Sequence, residues 1–118
     1  MKKLFISQPM RGKTNEEILA ERERAIKSAK EYLGEDVEVI DSFFKDAPHD
    51  AKPLWYLGES LKLLAEADIA YFVKGCKDAR GCVIEFDSAI AYGIEAMTEE
   101  DWNIDAIEVS MDMETIEG

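Results

Sequence analysis

A chain of 118 residues has the length of one domain built on one core, and its 47% apolar residues separate it from chains too polar to fold. No apolar run nears the roughly 20 residues that cross a bilayer, so no membrane partner is expected. A net charge of −12 sets the chain against nucleic acid polymers, whose phosphates require an excess of Lys and Arg.

The distribution of charge is uneven: residues 1–80 hold all 14 basic side chains, while residues 81–118 hold eleven acids and no base. A solvated acidic surface is the plainest account of such a tail. Met1-Lys2-Lys3 leads into Leu4-Phe5-Ile6, too short an apolar run for a signal-peptide core, so a cytoplasmic protein is expected. Two cysteines, Cys76 and Cys82, and one histidine, His49, are too few for a Cys/His zinc site. The expectation is no metal, no cofactor and two free thiols, with a disulfide across the intervening loop left open.

Leu4–Ser7 reads as a buried strand ended by Pro9 and Gly12. Thr14 followed by Glu17 is a capping box. Behind it Ile18, Ala25, Ala29 and Tyr32, flanked by Leu19, Ile26 and Leu33, form a helical stripe that Gly34 ends. Val37–Phe43 is the second strand. A polar loop over 45–52 leads to Pro53, which opens a helix with the stripe Leu54, Leu57, Leu61 and Leu64. Ile69–Val73 is apolar throughout and is expected at the middle of a parallel sheet. After a loop over 74–81, Cys82–Tyr92 reads as a third helix with Val83, Phe86 and Ile90 toward the sheet. Ile94–Met97 and Ala106–Met111 are the candidate fourth and fifth strands, with a turn or short helix over Glu99–Asn103 between them.

This alternation predicts a single α/β domain, a flavodoxin-like or Rossmann-like parallel sheet with helices on both faces. Ligands of such sheets bind beyond the carboxyl ends of the strands, where the strand order reverses. Three segments fall there. Ser7-Gln8-Pro9-Met10-Arg11-Gly12-Lys13-Thr14 joins a strand to a helix start, where free N–H groups and two bases favour an anion. It lacks dinucleotide and P-loop spacings, and an ordinary tight turn explains it equally well. The polar loop after strand two holds His49, which a solvent-exposed position explains. Trp55 and Tyr56, just beyond it, are candidate walls for a base, although core packing accounts for them too.

The third segment is Asp78-Ala79-Arg80-Gly81-Cys82-Val83-Ile84-Glu85. Gly81 permits close approach of a ligand, and a Glu85 near a helix start would be held ionised by the dipole, as attack on an anomeric carbon requires. Ala89 and Gly93 would leave room above it. A carboxylate that merely stabilises a helix start is the bland alternative. Asp68, just ahead of strand three, has the ordinary reading of a turn residue.

Together, Phe5 through Gly12, Glu66-Ala67-Asp68-Ile69, and Gly81 through Glu85 with Ala89, Ala91 and Gly93 resemble the nucleoside 2-deoxyribosyltransferase superfamily over about residues 3–94. The nearest branch is the short deoxyribosyltransferase-like proteins of bacteria and phages, and deoxynucleoside-monophosphate N-glycosidases belong to the same superfamily. The resemblance implies a flavodoxin-like sheet and a Glu nucleophile at Glu85. It implies that Asp68 and Asp78 hold the sugar or assist the base, and that Ser7, Gln8, Pro9, Met10, Arg11, Gly12, Arg80 and Gly81 bind substrate. Asp78 stands seven residues before Glu85 where the family's spacing is six, and Arg80 replaces a small polar residue. Ser110-Met111-Asp112-Met113 only loosely echoes the segment that completes a neighbouring subunit's pocket, so no role is carried over to it.

The expected function is cleavage or exchange of the N-glycosidic bond of a 2′-deoxynucleoside or its 5′-monophosphate by a homo-oligomer, with a small-molecule partner. The alternatives are a nucleotide-binding module that has lost catalysis and an acidic interaction protein whose charge mimics nucleic acid.

Overall fold

A strand that is apolar on both faces needs cover on both sides, and the strands of that kind lie at the middle of the sheet. The computed structural model describes residues 1–41 and 47–100. Through them run β1 (Lys2–Ser7), α1 (Asn15–Leu33), β2 (Val37–Val39), α2 (Pro53–Leu64), β3 (Ile69–Phe72), a 3-10 turn (Cys76–Asp78), α3 (Arg80–Ala91) and β4 (Glu95–Thr98). The four strands are parallel in the order β2-β1-β3-β4. Leu4, Phe5 and Ile6 of β1 and all of β3 are buried. The chain thus forms one α/β domain of flavodoxin-like type.

From β1 the chain steps to β2 on one side, then crosses to β3 on the other. Right-handed connections therefore put α1 on one face and α2 with α3 on the opposite face. The packing agrees: α1 lies against β1 and β2, α2 against α3, and α3 against β3 and β4. The strand order reverses between β1 and β3, where Ser7 pairs with Phe72.

Local chemistry sets the element ends. The capping box opens α1, with Thr14 Oγ1 accepting from Glu17 N at 3.1 Å and Glu17 Oε1 accepting from Thr14 N at 2.8 Å. Gly34 closes it at φ 71°, a left-handed backbone that glycine adopts without Cβ strain. Pro53 is the first residue of α2.

Several faces differ from the expected stripes. The buried row of α1 is Ile18, Arg22, Ala25 and Ala29. Leu19 and Tyr32 are exposed, Tyr32 donating its hydroxyl to Glu95. Leu54 is exposed, and only Leu64 of α2 is buried. α3 starts two residues early, at Arg80, and turns Cys82, Glu85 and Ala89 inward. Ile90 is consequently exposed, while Phe86 still meets Phe72 edge to face at 5.2 Å. β2 ends at Val39 and the expected Phe43 end lies outside the described residues, as does the strand expected over Ala106–Met111. No helix among the described residues is long and apolar enough to cross a membrane.

Candidate functional site

The last residue of β1 is a serine that follows the apolar run Leu4-Phe5-Ile6, and it is 2% exposed. Its carbonyl accepts from Val73 N at 3.0 Å, which zips β1 to the end of β3. Its Oγ donates to Glu85 Oε1 at 2.6 Å, a short bond to a buried carboxyl. Glu85 is 7% exposed and sits in the second turn of α3, on the inward face. Its other hydroxyl partner is Ser60 of α2. The carboxyl, carried by α3, is thus held by hydroxyls from two other elements, β1 and α2, at the reversal point of the sheet.

The expected pKa of this group is overturned. Glu85 lies too far into the helix and too deep in the protein for the dipole to dominate. Burial raises its pKa above the ordinary glutamate value, with the Ser7 and Ser60 hydroxyls pulling in the opposite sense. Nor do Ala89 and Gly93 leave space above it: Ala89 is fully buried in the core, and Gly93 lies beyond the helix in an exposed turn.

Open space lies on the other side of Glu85, toward the start of α3. A cleft of about 260 Å3 runs between Gln8 and Pro9 after β1, Tyr56 and Ser60 of α2, and Gly81, Cys82 and Glu85 of α3. It adjoins a wider groove of about 530 Å3 walled by Lys52, Leu54, Arg80 and Ile84, the two sharing Pro53, Leu57 and Gly81. A Cβ built on Gly81 would meet no atom within 4 Å, so this glycine keeps the passage wide without being sterically required. The walls are mixed, apolar with a few convergent polar groups, as small-molecule sites usually are.

Gln8 is fixed rather than free. Its Nε2 donates to Ile18 O and Glu21 Oε1, both at 2.9 Å, and Glu21 Oε2 pairs with Lys13 Nζ at 2.7 Å. Gly75, at φ 96°, lets the chain after β3 turn back against Pro9; a Cβ there would lie 3.4 Å from the proline ring.

Of the residues expected at the site, Ser7, Gln8, Pro9, Gly81 and Glu85 come together, and Arg80 borders the adjoining groove. Met10, Arg11 and Gly12 form an exposed turn past the cleft, closed by Lys13 N to Met10 O at 3.2 Å, with Gly12 at φ 79°. The capping box serves the start of α1, where the Glu17 and Thr14 side chains accept from the Thr14 and Glu17 N–H groups. The start of α3 is the less satisfied one, with no side-chain cap at Ala79 and no acid in its first turn.

Asp78 is exposed on the 3-10 turn, at the same end of the sheet but outside the cleft lining. Asp68 lies at the opposite end. Its Oδ2 accepts from Lys3 N at 2.7 Å and its N donates to Lys3 O at 2.9 Å, so it pins the start of β3 to β1, about four strand rises (roughly 13 Å) from Ser7. The structure does not bring Asp68 to Glu85. His49 is exposed, and Trp55 stands edge-on to Tyr56 at 5.1 Å, with only the tyrosine in the cleft.

Sequence reasoning missed Ser60 and the inward Cys82. Ser60 follows Leu57 by three residues and precedes Leu61, so a small polar residue within the apolar stripe of α2 was its available signal. Among the described residues no group of three or more His, Cys, Asp or Glu could hold a metal ion. No protein-family model, no curated protein and no solved structure matches the chain.

Proposed function

We propose that the protein cleaves or exchanges the N-glycosidic bond of a 2′-deoxynucleoside or its 5′-monophosphate, with Glu85 as nucleophile. The observation that carries this reading is a buried carboxyl, positioned by two hydroxyls, at the floor of a cleft beyond the carboxyl ends of the central strands. The resemblance to nucleoside 2-deoxyribosyltransferases, centred on Gly81 through Glu85, supplies the chemistry.

In its ionised form Glu85 attacks the anomeric carbon, the C–N bond breaks and the base departs. Water or a second base then resolves the glycosyl-enzyme. Ser7 and Ser60 hold the carboxyl in line, and Tyr56 offers a face to the base. The uncapped start of α3, with Arg80, is where a 5′-phosphate would be held. A homo-oligomer belongs to the same reading.

One observation favours a second reading, a nucleotide-binding module without turnover: Glu85 is the sole carboxylate lining the cleft among the described residues. Incubation with a panel of nucleosides and deoxynucleotides, followed by chromatography of free base, separates the two. Base release that Glu85→Gln abolishes supports the enzyme. Saturable binding with no release in the native protein supports the module.

A further inference from the structure

Two thiols lie against the Glu85 site and take no part in the proposed glycosidic chemistry. Cys76 closes the turn after β3 and is fully buried. Its Sγ donates to Ser7 O at 3.1 Å and lies 3.8 Å from Ser7 Oγ. Cys82 stands in the first turn of α3 and lines the cleft. The thiols interact with each other and with Ser7, and both are unbridged.

The two sulfurs are not equivalent. Cys82 is near an uncapped helix start with no acid in its first turn, a setting that favours thiolate. The groups facing it are Cys76, Ser7, Lys13 and Glu85. The Cys76 S–H, when turned from Ser7 O to Cys82, and the charge of Lys13 favour its thiolate; burial and Glu85 oppose it, but burial also holds Glu85 toward its neutral form. Cys76 has no opening to the cleft, and its interaction with Cys82 and its burial hold it as the thiol.

We propose that Cys82 is a peroxide-reactive thiol and that Cys76 is its resolving partner. The Cys82 sulfur attacks one peroxide oxygen and the O–O bond breaks. The other oxygen leaves with the displaced proton as water, or as an alcohol from an organic peroxide, and Cys82 becomes a sulfenic acid. The Cys76 sulfur then attacks the Cys82 sulfur. The S–O bond breaks, hydroxide leaves with the Cys76 proton as a second water, and a disulfide closes the segment 76–82. The dithiol has lost two electrons and two protons to the peroxide. Closure also removes the thiol donor from Ser7 O, at the end of the strand that holds Glu85.

The test uses the reduced, full chain exposed to hydrogen peroxide and followed by intact mass. The expected product is a monomeric chain lighter by two hydrogen atoms and restored by dithiothreitol. Lys77 and Arg80 lie between the cysteines, so trypsin separates Cys76 from Cys82 unless they are bridged, and the oxidised chain should give one linked peptide pair. In Cys76→Ala, dimedone should label Cys82; in Cys82→Ala, Cys76 should stay reduced for the time in which the native chain reacts fully. The assignment is overturned if oxygen accumulates on Cys82 with no bridge, or if the disulfide joins two chains. It is equally overturned if Cys76 reacts as fast without Cys82, or if the native chain stays reduced while the urea-unfolded chain oxidises. The linked peptide in the native chain decides the matter even where a variant folds poorly.

Discussion

A glutamate in a protein interior is costly to ionise, and at Glu85 that cost and the proposed function pull against each other. Its raised folded pKa favours the neutral acid, so its contribution to stability is fully present below the unfolded value near 4.5 and is lost as pH rises through the folded pKa. Glu85→Gln keeps the shape without the charge. Its melting temperature should therefore gain on the native protein's as pH rises from about 4 to about 8. A difference that stays flat across that range would show that burial does not govern this carboxyl. Activity should follow the same group with opposite benefit: base release should fall on the acid side at a pH above that of an ordinary glutamate. Ser60→Ala should lower kcat more than it raises KM, because Ser60 holds the nucleophile and is not required to grip the substrate. Gly81→Ala should stabilise α3 by roughly 0.5–1 kcal/mol and weaken nucleotide binding by narrowing the passage. Thermal melts and calorimetry of that one variant read both effects.

The element ends carry the second set of consequences. Where β4 finishes, Glu99 accepts from Lys74 N at 2.7 Å, from Tyr71 Oη at 3.0 Å, and from Arg24 of α1 at 2.6 Å and 3.0 Å. The Arg24 hydrogen bond foremost, with those from Lys74 N and Tyr71, holds its carboxyl down to about 2. Here the sign reverses: the stability Glu99 contributes is present above the unfolded value near 4.5 and is lost as pH falls toward about 2. Glu99→Gln should destabilise the protein at neutral pH, and denaturant melts should show the gap to the native chain closing as the solution is acidified. At the start of α1, Thr14→Ala should cost about 1 kcal/mol, measured the same way. These ends also mark what was legible in the sequence. The Thr14–Glu17 box, the Gly34 stop and the unbroken apolar run of β3 are local signals, and each stands where its residues placed it. Arg22 on the buried row of α1 and the exposed Leu54 and Ile90 were not legible, since whether a helix face is covered depends on its neighbours across space.

For the whole molecule the same division holds. The alternation of strands and helices was enough to specify a parallel sheet, because the handedness of crossovers leaves few alternatives; it offered three loops for the site, and the strand order places the reversal between β1 and β3. The candidate site was legible as far as Ser7, Gln8, Pro9, Gly81 and Glu85, all on segments at the carboxyl ends of strands. Asp68 was misplaced because a residue just ahead of a strand sits at the other end of the sheet from one just after it. The apolar side chains exposed on the face of α2 and α3, Leu54, Ile84, Ile90 and Tyr92 among them, are the kind of surface that association covers. Light scattering should accordingly give a species at least twice the 13.3 kDa of one chain; a monomer at working concentration would count against assembly. The grip on Glu85 has a further consequence. Residues 7, 60 and 85 belong to three elements spread over most of the described chain, so no fragment holding only one or two of those elements contains the site. Binding competence should then appear in a single late step of folding, after the long-range pairing of β1 with β3. Stopped-flow refolding followed in parallel by backbone circular dichroism and by capture of a fluorescent nucleotide should show capture lagging or matching the slowest backbone phase. Capture that precedes it would mean the cleft assembles before the sheet that frames it.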